Sequence, residues 1–218
     1  HPTAIEIYKN KLIKEGVLTP GDFNGSVNRI KSKLRSGEII SPYKVTEYHA
    51  QYVHLDNFNW EEAYDSKVSG EILKELGQKI SLIPDSIKPH RSIQNVYKQR
   101  QLMIDGQRSL DWGMAEMLAY ASLLKEGFSL RLTGQDVERG TFSHRHAYVH
   151  CELTGNSYPV LKAISSNVNI HNSTLSEQAV LGFEYGYSIQ TENELVIWEA
   201  QFGDFANGAQ VIFDQFIT

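Results

Sequence analysis

Residues 174–217 read TLSEQAVLGFEYGYSIQTENELVIWEAQFGDFANGAQVIFDQFI, and this stretch decides the fold. Residues 174–190 carry apolar positions at helical spacing. ELVIWEAQF (194–202) is an apolar, β-prone run bounded by polar turns, which predicts a buried strand. Residues 205–217 return to helical spacing. Helix, strand and helix joined by short connections predict a doubly wound α/β sheet, in which sites gather at the carboxyl ends of the strands.

Working upstream, the same alternation extends back to residue 106. DWGMAEMLAYASLLKEG predicts a helix that starts at Asp111 and stops at Gly127. SLRLTG (129–134) and NVNIHNS (167–173) are strands. Residues 134–150, GQDVERGTFSHRHAYVH, form a polar, glycine-punctuated loop that ends in a strand. Residues 1–105 have a different character and read as a helical, charged linker. Ile5, Tyr8, Leu12 and Ile13 recur at helical spacing up to Gly16. Thr19 and Pro20 open a second helix through Val27, Ile30 and Leu34 to Gly37, so the two form a helical hairpin. Val68–Ile80 and Ser92–Ile104 are further amphipathic helices. Between the hairpin and these helices, the tyrosine-rich residues 39–68 show no clear period.

The 218 residues, 41% hydrophobic and 22% charged, suffice for one core with an appended smaller unit. A formal charge of −5 gives no basic footprint for nucleic acid, and no apolar run reaches membrane-spanning length. The single cysteine, Cys151, excludes an internal disulfide or a cysteine metal site and reads as a structural thiol. The chain opens at HPTAIEIYKNKL and stops within the apolar pattern of QVIFDQFIT, which reads as a piece of a longer protein.

Three elements could carry chemistry. Thr174-Leu-Ser-Glu177 fits a capping box, so Glu177 either satisfies a free N–H at the helix start or serves as a catalytic carboxylate. Trp198, Phe202 and Phe205 cluster around the end of the last strand, with Glu199, Gln201 and Asp204 interleaved. They are either ordinary packing or an apolar wall for a heteroaromatic ring. In GTFSHRHAYVH, three histidines suggest a metal, but no nearby acidic or cysteine ligand completes a set. An anion-facing loop, with His144, Arg145 and His146 donating to carboxylate or phosphate, is the fuller reading, and a subunit contact is the alternative. Glycine-rich phosphate loops and the serine nucleophile elbow are absent.

Taken together, DWGMAE, LLKEGFSLRLTGQDVERGTFSHRHA, LSEQAVLGFEYGY and WEAQFGDFANGAQVIFDQFI closely resemble the decarboxylating first components of 2-oxoglutarate dehydrogenases, relatives of transketolase. HPTAIEIYKNKL and VYKQRQLMIDG extend the likeness into the first half. The resemblance implies a transketolase-like pyrimidine-binding domain, incomplete over residues 106–218, behind the helical linker. It implies thiamine diphosphate as cofactor, with Mg2+ held by a preceding diphosphate-binding domain whose GDG…N motif does not occur here. Glu177 matches the glutamate that hydrogen-bonds N1′ of the aminopyrimidine. Phe202 and Phe205 match the pocket for that ring, and the resemblance implies Leu175, Gln135 and Asp136 as further cofactor-binding residues. His144, Arg145 and His146 match substrate or interface positions. The parent enzyme is expected to decarboxylate 2-oxoglutarate in the tricarboxylic acid cycle and to succinylate the lipoyl group of a dihydrolipoyl succinyltransferase component. It is expected to work as a homodimer, in the bacterial cytoplasm or alternatively the mitochondrial matrix, without nucleic-acid or membrane partners. This piece alone is expected to be inactive. Alternatives are a 2-oxoadipate or other 2-oxo acid dehydrogenase, or a non-catalytic scaffold of the same fold.

Overall fold

The structure, a computed structural model, describes residues 1–38, 59, 61–190, 192–203, 205 and 208–218. Most of the tyrosine-rich run at 39–68, and Asp204, lie outside the described residues. The chain divides into two compact units, His1–Ala50 and Gln51–Thr218.

The first unit contains helices α1 (Ala4–Lys14) and α2 (Pro20–Ser36). Both start on capping boxes, Thr3 with Glu6 and Thr19 with Asp22, so their first free N–H groups are satisfied by side chains. Pro20 stands in the first turn of α2, and Gly37 closes it in the left-handed conformation at φ 70°. Neither helix has a buried residue. Lys9 lies over the Phe23 ring, 5.4 Å from its centroid.

The second unit has a single core. Helices α3 (Gly70–Ile80) and α4 (Arg91–Ile104) contribute Leu76, Ile80, Tyr97 and Met103. Helix α5 (Trp112–Lys125) starts at Asp111, whose side chain accepts from Met114 N at 2.8 Å, and adds Met114, Met117, Leu118, Ala121 and Leu124. Strands β1 (Ser129–Gly134) and β4 (Val168–Asn172) complete this core with Leu130, Leu132, Val168 and Ile170. Because α3 and α4 share it, the expected boundary near residue 105 is not a boundary of packing.

The main sheet has the order β4-β1-β5, all parallel, where β5 is Glu194–Glu199. Helix α6 (Glu177–Ser188) links β4 to β5 across the central strand. This crossover places the carboxyl ends of all three strands at one edge, with the start of α6 beside them. The loop after β1 does end in a strand, β2 (Tyr148–His150). It pairs antiparallel with β3 (Ser157–Pro159), which the sequence pattern did not suggest because three residues carry too little periodicity.

Two expectations need correction. Strand β5 is not buried: all six of its residues are only half-buried, since among the described strands it pairs with β1 alone. The last helix does not begin at 205. Ala209 N donates to Gly203 O at 2.8 Å and Gly208 packs on Gly203, so the chain folds back before α7 (Gln210–Ile212) and a π-helical turn at Phe213–Ile217.

Candidate active site at the carboxyl ends of the strands

Ser176, not Thr174, caps α6: its Oγ accepts from Ala179 N at 3.3 Å. Glu177 is therefore the first residue of the helix, and its carboxylate is released from capping. It turns instead to the segment after β5. Oε1 accepts from the backbone N–H of Gln201, and Oε2 accepts from that of Phe202 at 3.0 Å. Two N–H donors on one carboxylate hold it in place. The approach needs Gly203, where a Cβ would sit 2.9 Å from Glu177 Cβ.

Phe202 and Phe205 follow directly. Their rings stack at 6.2 Å with 28° between planes and are 74% and 64% exposed. The expected three-ring cluster divides: Trp198 packs on Phe213 instead, at 6.3 Å. Gln201 ties this segment to the loop after β1, donating from Nε2 to Thr141 Oγ1 at 2.6 Å and to the carbonyl of Gln135 at 3.3 Å. Gly134 lies so close to the end of β5 that a Cβ would stand 2.4 Å from Glu199 O. Leu175 is exposed on the turn between β4 and α6, two residues before Glu177.

Asp136 goes elsewhere. Its Oδ2 accepts from Arg139 Nε at 2.6 Å, and it lines a cavity of about 330 Å³ with His90, His146, His150 and Cys151. Cys151 is buried there. Hydrogen bonds, from the Thr154 hydroxyl foremost and then from the Lys88 N–H, lower its thiol to about 7.

The histidine loop is built around Arg145, which is 2% exposed. Arg145 Nε donates to Glu116 Oε1 at 2.7 Å, Nη1 to Val137 O at 2.8 Å, and Nη2 to Glu199 Oε2. Burial works against the charge, but the hydrogen bonds to Glu199 and Glu116 outweigh it and raise its pKa. His144 Nε2 lies 3.2 Å from Glu116 Oε2. Acidic partners for this loop do exist, contrary to the sequence reading; they arrive from α5 and β5. Glu116, His144 and Glu199 have metal-ligand spacing, but the guanidinium between the two carboxylates is already a cation. The anions that the loop faces are thus the chain's own. His146 is buried, its Nε2 at 2.9 Å from Ser143 Oγ, and desolvation, then the nearby Arg100 charge, lowers its pKa. Asp136, Ser143 and His146 all take positive φ (56°, 55° and 44°), a cost that the surrounding bonds must offset.

Sequence reasoning noted Gln201, Glu199 and Glu116 only in passing or not at all. The alternation of Glu199 and Gln201 with apolar residues was visible. Their partners, Arg145 at 54 positions from Glu199 and Thr141 at 60 from Gln201, were not.

The family profile for "Transketolase, pyrimidine binding domain" matches residues 108–218. The chain belongs to this family. Over its whole length, the chain is also similar to longer proteins. It is 40% identical over 223 residues to the 2-oxoglutarate dehydrogenase E1 component of Haemophilus influenzae, and 44% over 225 to that of Coxiella burnetii. It is 43% identical over 223 residues to the oxoglutarate dehydrogenase of Buchnera aphidicola subsp. Baizongia pistaciae. The chain spans 24% of the length of each of these relatives. The profile begins at 108, and the packed core reaches further back.

Proposed function

We propose that this chain is the part of a 2-oxoglutarate dehydrogenase first component that presents Glu177 to the aminopyrimidine ring of thiamine diphosphate. The supporting observation is a half-buried carboxylate fixed by two backbone N–H groups beside an exposed phenylalanine pair. These residues suit the group. An ionised carboxylate has about four acceptor sites, so the two N–H groups leave room for a donor at N1′. Stacked, exposed rings offer a flat apolar surface to a heteroaromatic ring. When bound, thiamine diphosphate supplies the carbanion-stabilising chemistry that decarboxylation of a 2-oxo acid needs. Glu177 holds the N1′ proton, the N–H groups of Gln201 and Phe202 hold Glu177, and Phe202 and Phe205 border the ring.

On this reading the whole protein decarboxylates 2-oxoglutarate, with Mg2+ bound outside this chain, and passes the succinyl group to a dihydrolipoyl succinyltransferase component. Its bacterial relatives favour a bacterial cytoplasm. A second copy meets the face formed by α5 and the loop after β1, where Trp112 and Phe142 are 90% and 86% exposed. They line a cavity of about 740 Å³ with Ala115, Ala119, Glu116 and His144. Such a face favours a homodimer.

The test is Glu177→Gln in the full-length protein, assayed for thiamine diphosphate-dependent release of CO2 from 2-oxoglutarate. Loss of a positioned acid/base predicts a fall of about 10²- to 10⁴-fold in kcat with the fold intact. Activity within twofold of wild type would reduce Glu177 to a structural residue. The chain of 218 residues alone, with Phe202 and Phe205 open to water, should show no turnover.

A further inference from the structure

We infer that Arg145 is a positioning residue for the proposed cofactor carboxylate and not a contact for the 2-oxo acid; this rests on the site reading above. The guanidinium is sealed from solvent and all its donors point inward. It joins three elements at one point: α5 through Glu116, the loop after β1 through Val137, and the end of β5 through Glu199. Two residues beyond Glu199 stands Gln201. Its N–H, with that of Phe202, holds Glu177.

The same loop after β1 is tied to Gln201 by side chain, so the fork and the amide link fix the strand end from both sides. Arg145 is itself fixed. Its carbonyl accepts from Arg100 Nη2 at 2.5 Å, and its N–H donates to Arg139 O at 3.0 Å. Tyr120 adds a 2.6 Å hydrogen bond to Glu116. Without the guanidinium, Glu116 and Glu199 become two unneutralised carboxylates facing each other in a partly desolvated space. Their repulsion drives the end of β5 away, and the N–H pair that orients Glu177 goes with it. A lysine keeps one charge but cannot span two carboxylates and a carbonyl at once.

The experiment uses the full-length protein with Mg2+, comparing wild type, Arg145→Lys and the near-isosteric Glu199→Gln. Three quantities are read: affinity for thiamine diphosphate by titration calorimetry, KM for 2-oxoglutarate at saturating cofactor, and the near-ultraviolet circular dichroism of the bound aminopyrimidine. Misplacing the carboxylate's holder predicts cofactor affinity weakened about 10- to 100-fold in Arg145→Lys and less in Glu199→Gln, with altered dichroism. The KM for the oxo acid should stay within about twofold. A raised oxo-acid KM with unchanged cofactor affinity would make Arg145 a substrate contact, and unchanged values throughout would leave it a purely structural clamp. Either result overturns the inference. If Arg145→Lys does not fold, Glu199→Gln decides alone: weakened cofactor affinity supports the inference, and wild-type affinity overturns it. The site reading fails separately, if wild type shows no cofactor-dependent decarboxylation or Glu177→Gln retains it.

Discussion

Leu132 on β1 and Ile197 on β5 are partners across the parallel ladder, yet their surroundings differ sharply. Leu132 is fully buried, on a strand flanked on both sides. Ile197 is half-buried, on a strand with one neighbour among the described residues. The contrast continues beyond the strand ends. The loop after β1 leads to the sealed fork of Arg145, while the segment after β5 leads to Phe202 and Phe205 in the open. Stability is concentrated on the first side. The second side presents groups with unspent capacity, a carboxylate with a free acceptor site and two uncovered rings. The site lies on the seam, where rigid parts hold exposed ones.

This contrast can be tested by substitution. Leu132→Ala should cost about 2–5 kcal/mol in unfolding free energy, because both the transfer loss and the cavity fall in a closed core. Denaturant titration measures it, and a cost below about 1 kcal/mol would break the distinction. Its ladder partner, Ile197→Ala, should cost less, about 1–2 kcal/mol, since much of that side chain already meets solvent. Equal costs would show β5 to be as much part of the core as β1.

A pH scan sharpens the comparison on the packed side. His146 has its pKa lowered below the ordinary imidazole value of 6.5. The folded state therefore binds fewer protons than the unfolded chain at mildly acidic pH. The contribution of this group is present above 6.5 and is lost as pH falls from there through the lowered value. Urea midpoints measured downward from pH 7.5 should fall, and His146→Asn should flatten that slope. A slope unchanged by the substitution would remove His146 as its source.

The smallest effect on stability is expected on the open side. Phe202→Ala should change unfolding free energy by no more than about 0.5 kcal/mol, as an exposed substitution does. In the full-length protein it should still weaken cofactor affinity roughly three- to tenfold, the worth of one aromatic stacking contact. A large stability loss would show that the ring packs inward.

Much of the fold was legible in local pattern. Asp111, Gly16 and Gly37 marked helix limits because capping and left-handed turns depend on one or two residues. The strands at 129–134 and 168–172 stood out as apolar runs between turns. The half-exposed state of β5 did not, because an apolar strand looks alike whether one side or both are covered. Nor did the cap of α6, where Thr174 and Ser176 are both acceptable N-cap residues and only the backbone path selects the second.

The alternation of the longer helices with the three strands of the main sheet, the position of Glu177 at a helix start and the likeness to a thiamine-dependent family were determined by the sequence alone, since each depends on neighbouring residues or on contiguous blocks. Tertiary structure decided what those residues touch. It turned Glu177 from a cap into a carboxylate held by Gln201 and Phe202, and it joined Arg145 to Glu116, Val137 and Glu199. The physical reason is range. Glu177 meets its donors 24 and 25 residues away, and Arg145 meets Glu116 and Glu199 at 29 and 54. Only closure of the parallel sheet brings such distant groups within hydrogen-bond reach.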